Sequence, residues 1–151
     1  MTRLLPRLLG LAYPACATEG TDGLPEPTLL DFSKLGPPRR GNTALAAPPG
    51  MHVHPDIISR RREVPPIRLY DTLKRIALAQ PRIFLHAEFA DQLQAHFVAR
   101  SARCNYPDLI AIQITPDSMP ALYSRSVYGE ADFGVNRKRL VAWLTALDAA
   151  L

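Results

Sequence analysis

Cysteine is scarce in this chain, with two residues in 151, Cys16 and Cys104, set far apart. Such a pair builds no disulfide framework, and no zinc-ligand spacing accompanies it. Long apolar runs are missing as well. Nothing approaches the ~20 residues that cross a bilayer as a helix, which excludes a membrane-spanning helix. Aromatic residues form 7% of the chain and do not interleave with its basic residues. Nucleic-acid modules lean on such interleaving or on a recognisable motif, so that class is set aside. A nucleophile elbow is also absent.

Proline is abundant, and its placement divides the chain. Of 15 prolines, nine lie between Pro25 and Pro66. Proline fixes φ and removes a backbone donor, so this stretch is expected to be neither helix nor central strand. The chain therefore reads as an N-terminal segment (1–17), an extended Pro-rich arm (18–66) and a small folded body (67–151). The net charge is +4. Its arginine clusters, Arg60-Arg61-Arg62 and Arg137-Lys138-Arg139, read as solvated faces or as contacts for anions.

Met1-Thr2-Arg3 leads into Leu4-Leu5 and Leu8-Leu9-Gly10-Leu11-Ala12 and then small residues, the shape of an export signal interrupted by Pro6 and Arg7. Cys16 follows Ala15 as the lipidated cysteine of a lipoprotein follows a small residue, although Tyr13 and Pro14 depart from that pattern. The alternative is an ordinary thiol at a cytoplasmic N-terminus. The expected setting is the cell envelope or periplasm, with the membrane involved only through such a lipid anchor.

The arm shows no periodicity. Leu30–Leu35 suits one helical turn capped by Asp31 or Ser33, and Ala44-Leu45-Ala46-Ala47 is a short apolar run closed by Pro48-Pro49-Gly50. The arm is expected to cross one face of the body, burying Phe32, Leu35 and Leu45. His52, His54 and Asp56 alternate, but two histidines and one carboxylate between prolines read as incidental, so no metal and no cofactor are expected.

Pro65-Pro66 opens a helix whose Leu69, Leu73, Ile76 and Ala77 share a face; Pro81 ends it. Four strands are expected next. Ile83–Phe89 alternates, with Ile83, Leu85, Ala87 and Phe89 on one face and Phe84, His86 and Glu88 on the other. Gln94–Arg103, Leu109–Thr115 and Ala121–Tyr128 follow. In the final helix Leu140, Leu144, Leu147 and Leu151 form a stripe, with Asp132 or Asn136 as its cap. Gly129 and Gly134 bracket the preceding turn. The expected fold is α+β, a four-stranded antiparallel sheet with both helices packed on one face (α-β-β-β-β-α) and the arm partly covering the other.

Ser124-Arg125-Ser126, Gly129, Asp132, Gly134, Asn136, Arg137 and Arg139 together resemble the DUF1499 family of bacterial and plant proteins. Its usual string runs Ser-Ala-Ser, Gly, then Asp-x-Gly-x-Asn-Arg-x-Arg opening the last helix. Leu85-His86-Ala87-Glu88-Phe89, Tyr106-Pro107-Asp108 and Gly41-Asn42-Thr43 resemble its earlier segments. Arg125 stands where the string has Ala. The resemblance implies the element order above and an envelope or lumenal setting, and no particular reaction.

A polar cluster of His86, Glu88, Asp108, Ser124, Ser126, Asp132, Asn136, Arg137 and Arg139 is one candidate site, with Arg125, Arg137 and Arg139 contacting an anion. The expected function is a non-catalytic binding or scaffold domain of the envelope, its partner an envelope protein or a small anionic ligand. The alternative is a small serine hydrolase with Ser124 or Ser126 activated by His86. A third reading makes Asp132, Asn136 and the arginines a structural lock at the strand–helix corner.

Overall fold

The computed structural model describes residues 4–36, 41–129 and 133–151. Among these residues three α-helices, α1 (Leu4–Leu9), α2 (Pro66–Ala79) and α3 (Val135–Ala150), accompany six strands. These are β1 (Thr43–Ala47), β2 (Ile57–Ile58), β3 (Ile83–Phe89), β4 (Gln94–Arg100), β5 (Pro107–Ile114) and β6 (Pro120–Ser126). One sheet runs in the order β2-β1-β6-β5-β4-β3. All pairs are antiparallel except β1–β2, which is parallel.

The α+β class and the helix–four strands–helix body are as expected, but the sheet has six strands and is mixed. The two extra strands come from the arm. Thr43–Ala47 is alanine-rich and proline-bounded, so its own propensity for strand is low. Its pairing with β6 overrides that propensity. Ala44 and Ala46 face the helices and are fully covered there; a larger side chain would hold α3 away. β2 is fixed by Asp56, whose carboxylate accepts the Leu45 N–H at 2.8 Å, and by Ser59 N–H donating to Ala47 O at 2.9 Å. Asp56 is thus committed to the backbone, and His52 Nε2 bonds to Leu35 O at 2.8 Å.

Helices α2 and α3 bury their stripes on one face of the sheet. Leu69, Leu73 and Ala77 meet Leu140, Trp143, Leu144 and Leu147 over Phe97, Ile110, Ile112 and Leu122. Trp143 packs edge-on against Phe97, ring centroids 6.1 Å apart. Leu151, expected in the stripe, is 38% exposed because the helix has already passed the sheet. Arg62 is not a solvated cation. It is buried and grips Asp148 of α3 with two bonds of 3.0 and 3.2 Å, closing the end of the arm onto the helix.

The opposite face carries Leu45, Ala47, Ala111 and Ala121, with Phe32 of the arm buried on them and Leu30 and Leu35 alongside. Gln94 of β4 fastens the arm there. Its fully buried amide accepts the Leu30 N–H at 2.8 Å and donates to Leu30 O at 2.9 Å, so a side chain imitates a strand pair. Gln94→Leu should destabilise the protein by about 1–3 kcal/mol, since Leu30 loses both partners. Hydrogen exchange at Leu30 should rise well above exchange at Ile112; unchanged protection of Leu30 would refute Gln94 as the fastening point.

Candidate functional site

Strand β6 and the first turn of α3 meet at a corner on the helix side of the sheet. Alternation along β6 puts Ser124 and Ser126 on that side, and the register sets Asp108 of β5 opposite Ser126. α3 begins after Gly134, which holds φ +80°, a left-handed conformation that glycine takes without strain. The N-cap residue is this glycine, which has no side chain to offer. Asn136, expected as a cap, lies inside the first turn and is fully buried.

Asn136 uses all the bonding capacity of its amide. Its Oδ1 accepts from Ser124 Oγ at 2.5 Å and from an Arg139 nitrogen at 3.0 Å. Its Nδ2 donates to Asn42 O at 3.1 Å and to Ser126 Oγ at 3.0 Å. Arg139 also donates to Ser124 Oγ and to Asp108 Oδ2, both at 2.9 Å, in an ion pair 15% exposed on either side. Asn42 Nδ2 reaches on to Gly129 O at 2.9 Å. A charge-assisted pair in such partial burial is among the stronger polar contacts. The groove beside it, about 380 Å³, is lined by Asp108, Arg139, Arg82 and Arg100, each already bonded within the protein.

The expected polar cluster separates into parts. Alternation in β3 fails at a bulge: Leu85 pairs with Phe97, yet Ala87 already pairs with His96, so His86 is the extra residue. Beyond the bulge the faces exchange. Glu88 turns to the helices, accepting Tyr70 Oη at 2.5 Å and Lys74 Nζ at 2.6 Å. Those bonds hold its carboxyl below the usual range. His86 instead lies on the arm side with Arg125, away from Ser124 and Asn136. Arg137 is exposed on α3 and does not join Arg139 or Arg125. Asp132 lies outside the described residues.

On the arm side a pocket of about 260 Å³ opens between Pro25–Thr28 and Leu30 of the arm and the sheet, where His86, His96, Tyr123 and Arg125 line it. His96 and Tyr123 were not anticipated. Phe97 and Val98 are adjacent and both apolar, so alternation in this strand does not show which face His96 presents. His96 Nε2 bonds to Gln94 Oε1 at 2.7 Å. Burial, then the neighbouring His86, pushes the His96 pKa down to about 4; burial also lowers that of His86.

A family model for proteins of unknown function, DUF1499, matches residues 38–147, well over half the chain. The chain belongs to the DUF1499 family. No curated protein and no solved structure matches it. The matched region begins in the arm and includes every residue of the corner lock, so this DUF1499 domain takes in β1 and β2 as well as the body.

Ahead of the match, residues 13–22 dock on the DUF1499 domain. Tyr13 packs against Tyr106 and Tyr128, and the Tyr128 hydroxyl accepts the Ala15 N–H at 2.9 Å. Buried Arg100 donates to Ala15 O, to Gly20 O at 3.0 Å, to Thr18 Oγ1 at 2.9 Å and to Asp22 O at 3.1 Å. Asn105 Nδ2 donates to Cys16 O at 2.9 Å. The Cys16 side chain is fully enclosed and burial raises its thiol pKa, which makes it a poor nucleophile. A lipid on that sulfur requires this docked loop to leave the body.

Two outcomes follow for the DUF1499 domain. Asn136→Ala should cost about 2–4 kcal/mol in urea unfolding, because partners from three elements are left short; a loss within experimental error would show that the corner is not a lock. His96 takes its proton at about 4 in the fold against 6.5 in a free chain. The unfolded state therefore binds it first as pH falls. Stability from this residue is complete above pH 6.5 and is lost towards pH 4, with a slope of at most about 1.4 kcal/mol per pH unit. His96→Asn should flatten that part of a stability–pH curve.

Proposed function

We propose that this DUF1499 chain is a non-catalytic binding or scaffold domain working in the cell envelope. The observation that supports the non-catalytic part is the state of Ser124. Its proton is directed to Asn136 Oδ1 and its oxygen accepts from Arg139, while His86 lines the pocket on the other face of the sheet. A serine nucleophile requires a base within hydrogen-bond reach and an accessible hydroxyl; Ser124 is 0% exposed. Ser126 accepts from Asn136 Nδ2 and shares the same corner. Ser124, Ser126, Asn136 and Arg139 of the family string thus hold the last helix to the sheet.

The envelope part is supported by the basic start, the leucine-rich run and the small residues before Cys16. A leader cleaved before Cys16 would remove the Tyr13 and Ala15 contacts, and a lipid on Cys16 would draw residues 16–22 away and uncover Arg100 and Asn105 to a partner. Intact mass of natively expressed protein is expected to show loss of the leader, with or without a diacylglyceryl group on Cys16. Retention of Met1 through Ala15 would overturn the envelope reading. A panel of esters should give no turnover. Any turnover abolished by His86→Ala would overturn the non-catalytic one.

A further inference from the structure

The arginines of the described chain that are not solvent-exposed are Arg62, Arg100, Arg125 and Arg139. Three are matched: Arg62 by Asp148, Arg100 by a ring of loop oxygens, Arg139 by Asp108. Arg125 is half-buried in the arm–sheet pocket, and among the described residues its guanidinium forms no hydrogen bond or ion pair. Glu26 lines the same pocket but forms no ion pair with it, and a guanidinium partly withdrawn from water without a bonded counter-ion costs free energy that an anion would offset.

We propose that this pocket is a binding site for a small carboxylate with an apolar body, its carboxyl group held by Arg125. The planar fork of a guanidinium matches a carboxylate with two parallel bonds. At about 260 Å³ the space falls below the ~300–1,000 Å³ of drug-sized sites, so it takes a compact molecule and not a nucleotide or a peptide. Leu109, Ala111 and Tyr123 supply apolar floor, and Pro25 and Pro27 supply a wall whose backbone is already constrained. Little conformational freedom is then lost on binding.

The other charged or titratable groups facing the pocket set its selectivity. Gln94 Oε1 accepts both the Leu30 N–H and His96 Nε2, so His96 must donate from Nε2, and its neutral form presents Nδ1 as an acceptor. Neutral His96 adds no positive charge, which disfavours a phosphate dianion. The imidazole of His86, from the bulge in β3, makes no hydrogen bond among the described residues and becomes a second cation when protonated. Glu26, exposed on the arm, opposes the anion weakly, and Tyr123 is the remaining titratable side chain; β5 contributes only apolar residues. Binding should therefore tighten as pH falls below the ordinary range of histidine, since burial holds the His86 pKa down.

The inference rests on the reading of the domain as a binding module and names its ligand class. Benzoate is the probe, titrated into the full chain while backbone amide shifts are followed, with benzamide and inorganic phosphate as comparisons. Saturable shifts centred on Leu30, His86, Ala111 and Arg125 are expected, tighter at about pH 5.5 than at neutral pH. Arg125→Ala should weaken binding at least about tenfold, and Arg125→Lys should restore part of it. Thr28→Trp, which fills the pocket from the exposed arm, should abolish binding without altering the sheet. Absence of saturation by benzoate, equal binding of benzamide, preference for phosphate, or undiminished binding by both the Arg125→Ala and Thr28→Trp variants would overturn the assignment. Should Arg125→Ala fail to fold, Thr28→Trp decides alone. Those failures leave the non-catalytic reading standing, since ester turnover is measured separately and by a different variant.

Discussion

The Asn136 amide is the constraint on which the rest of this fold depends. It sits inside a helix, where asparagine is a poor choice by propensity, and it is fully buried. Its four bonds join α3 to both serines of β6, to Arg139 and to the backbone that opens β1. An amide in that position cannot be traded for a similar apolar side chain, because each partner it satisfies would be left unmatched in partial burial. This side chain ties the strand brought in from the arm to the last helix, beside the packing of Ala44 and Ala46 under α3.

A second consequence is that the arm is structural. Proline-rich segments are poor at forming secondary structure by themselves, yet this one completes the sheet and covers its second face. The fastenings are polar and tie the arm to the body: Gln94 holds Leu30, while Arg62 links the end of the arm to Asp148. Arg100 does the same for residues 15–22. The body presents buried polar side chains whose hydrogen-bonding needs are met only when these segments lie in place. The pocket with Arg125 exists because the arm is held across the sheet at that height.

Local patterns made α2, α3 and the four strands of the body legible, because helix and strand periods are properties of the chain's own geometry. The family string at Ser124–Arg139 was legible as a motif, and the lock was among the readings it allowed. The strand Thr43–Ala47 was not legible, since five residues of threonine, alanine and leucine acquire a strand conformation only from a partner edge. The bulge at His86 was equally hidden. One additional residue reverses the faces of all that follow, and no residue type in Ile83–Phe89 signals it.

What the amino-acid order determined by itself is therefore the helices, the body strands, the proline-rich character of the arm and membership of a recognisable pattern, because each follows from spacing along the chain. Tertiary structure alone decided which polar residues meet. It moved Asn136 from cap to core, sent Glu88 to Tyr70 and Lys74, and placed His86 and His96 with Arg125 under the arm. Those outcomes depend on strand register and on a bulge, quantities set by the packing of segments distant in sequence.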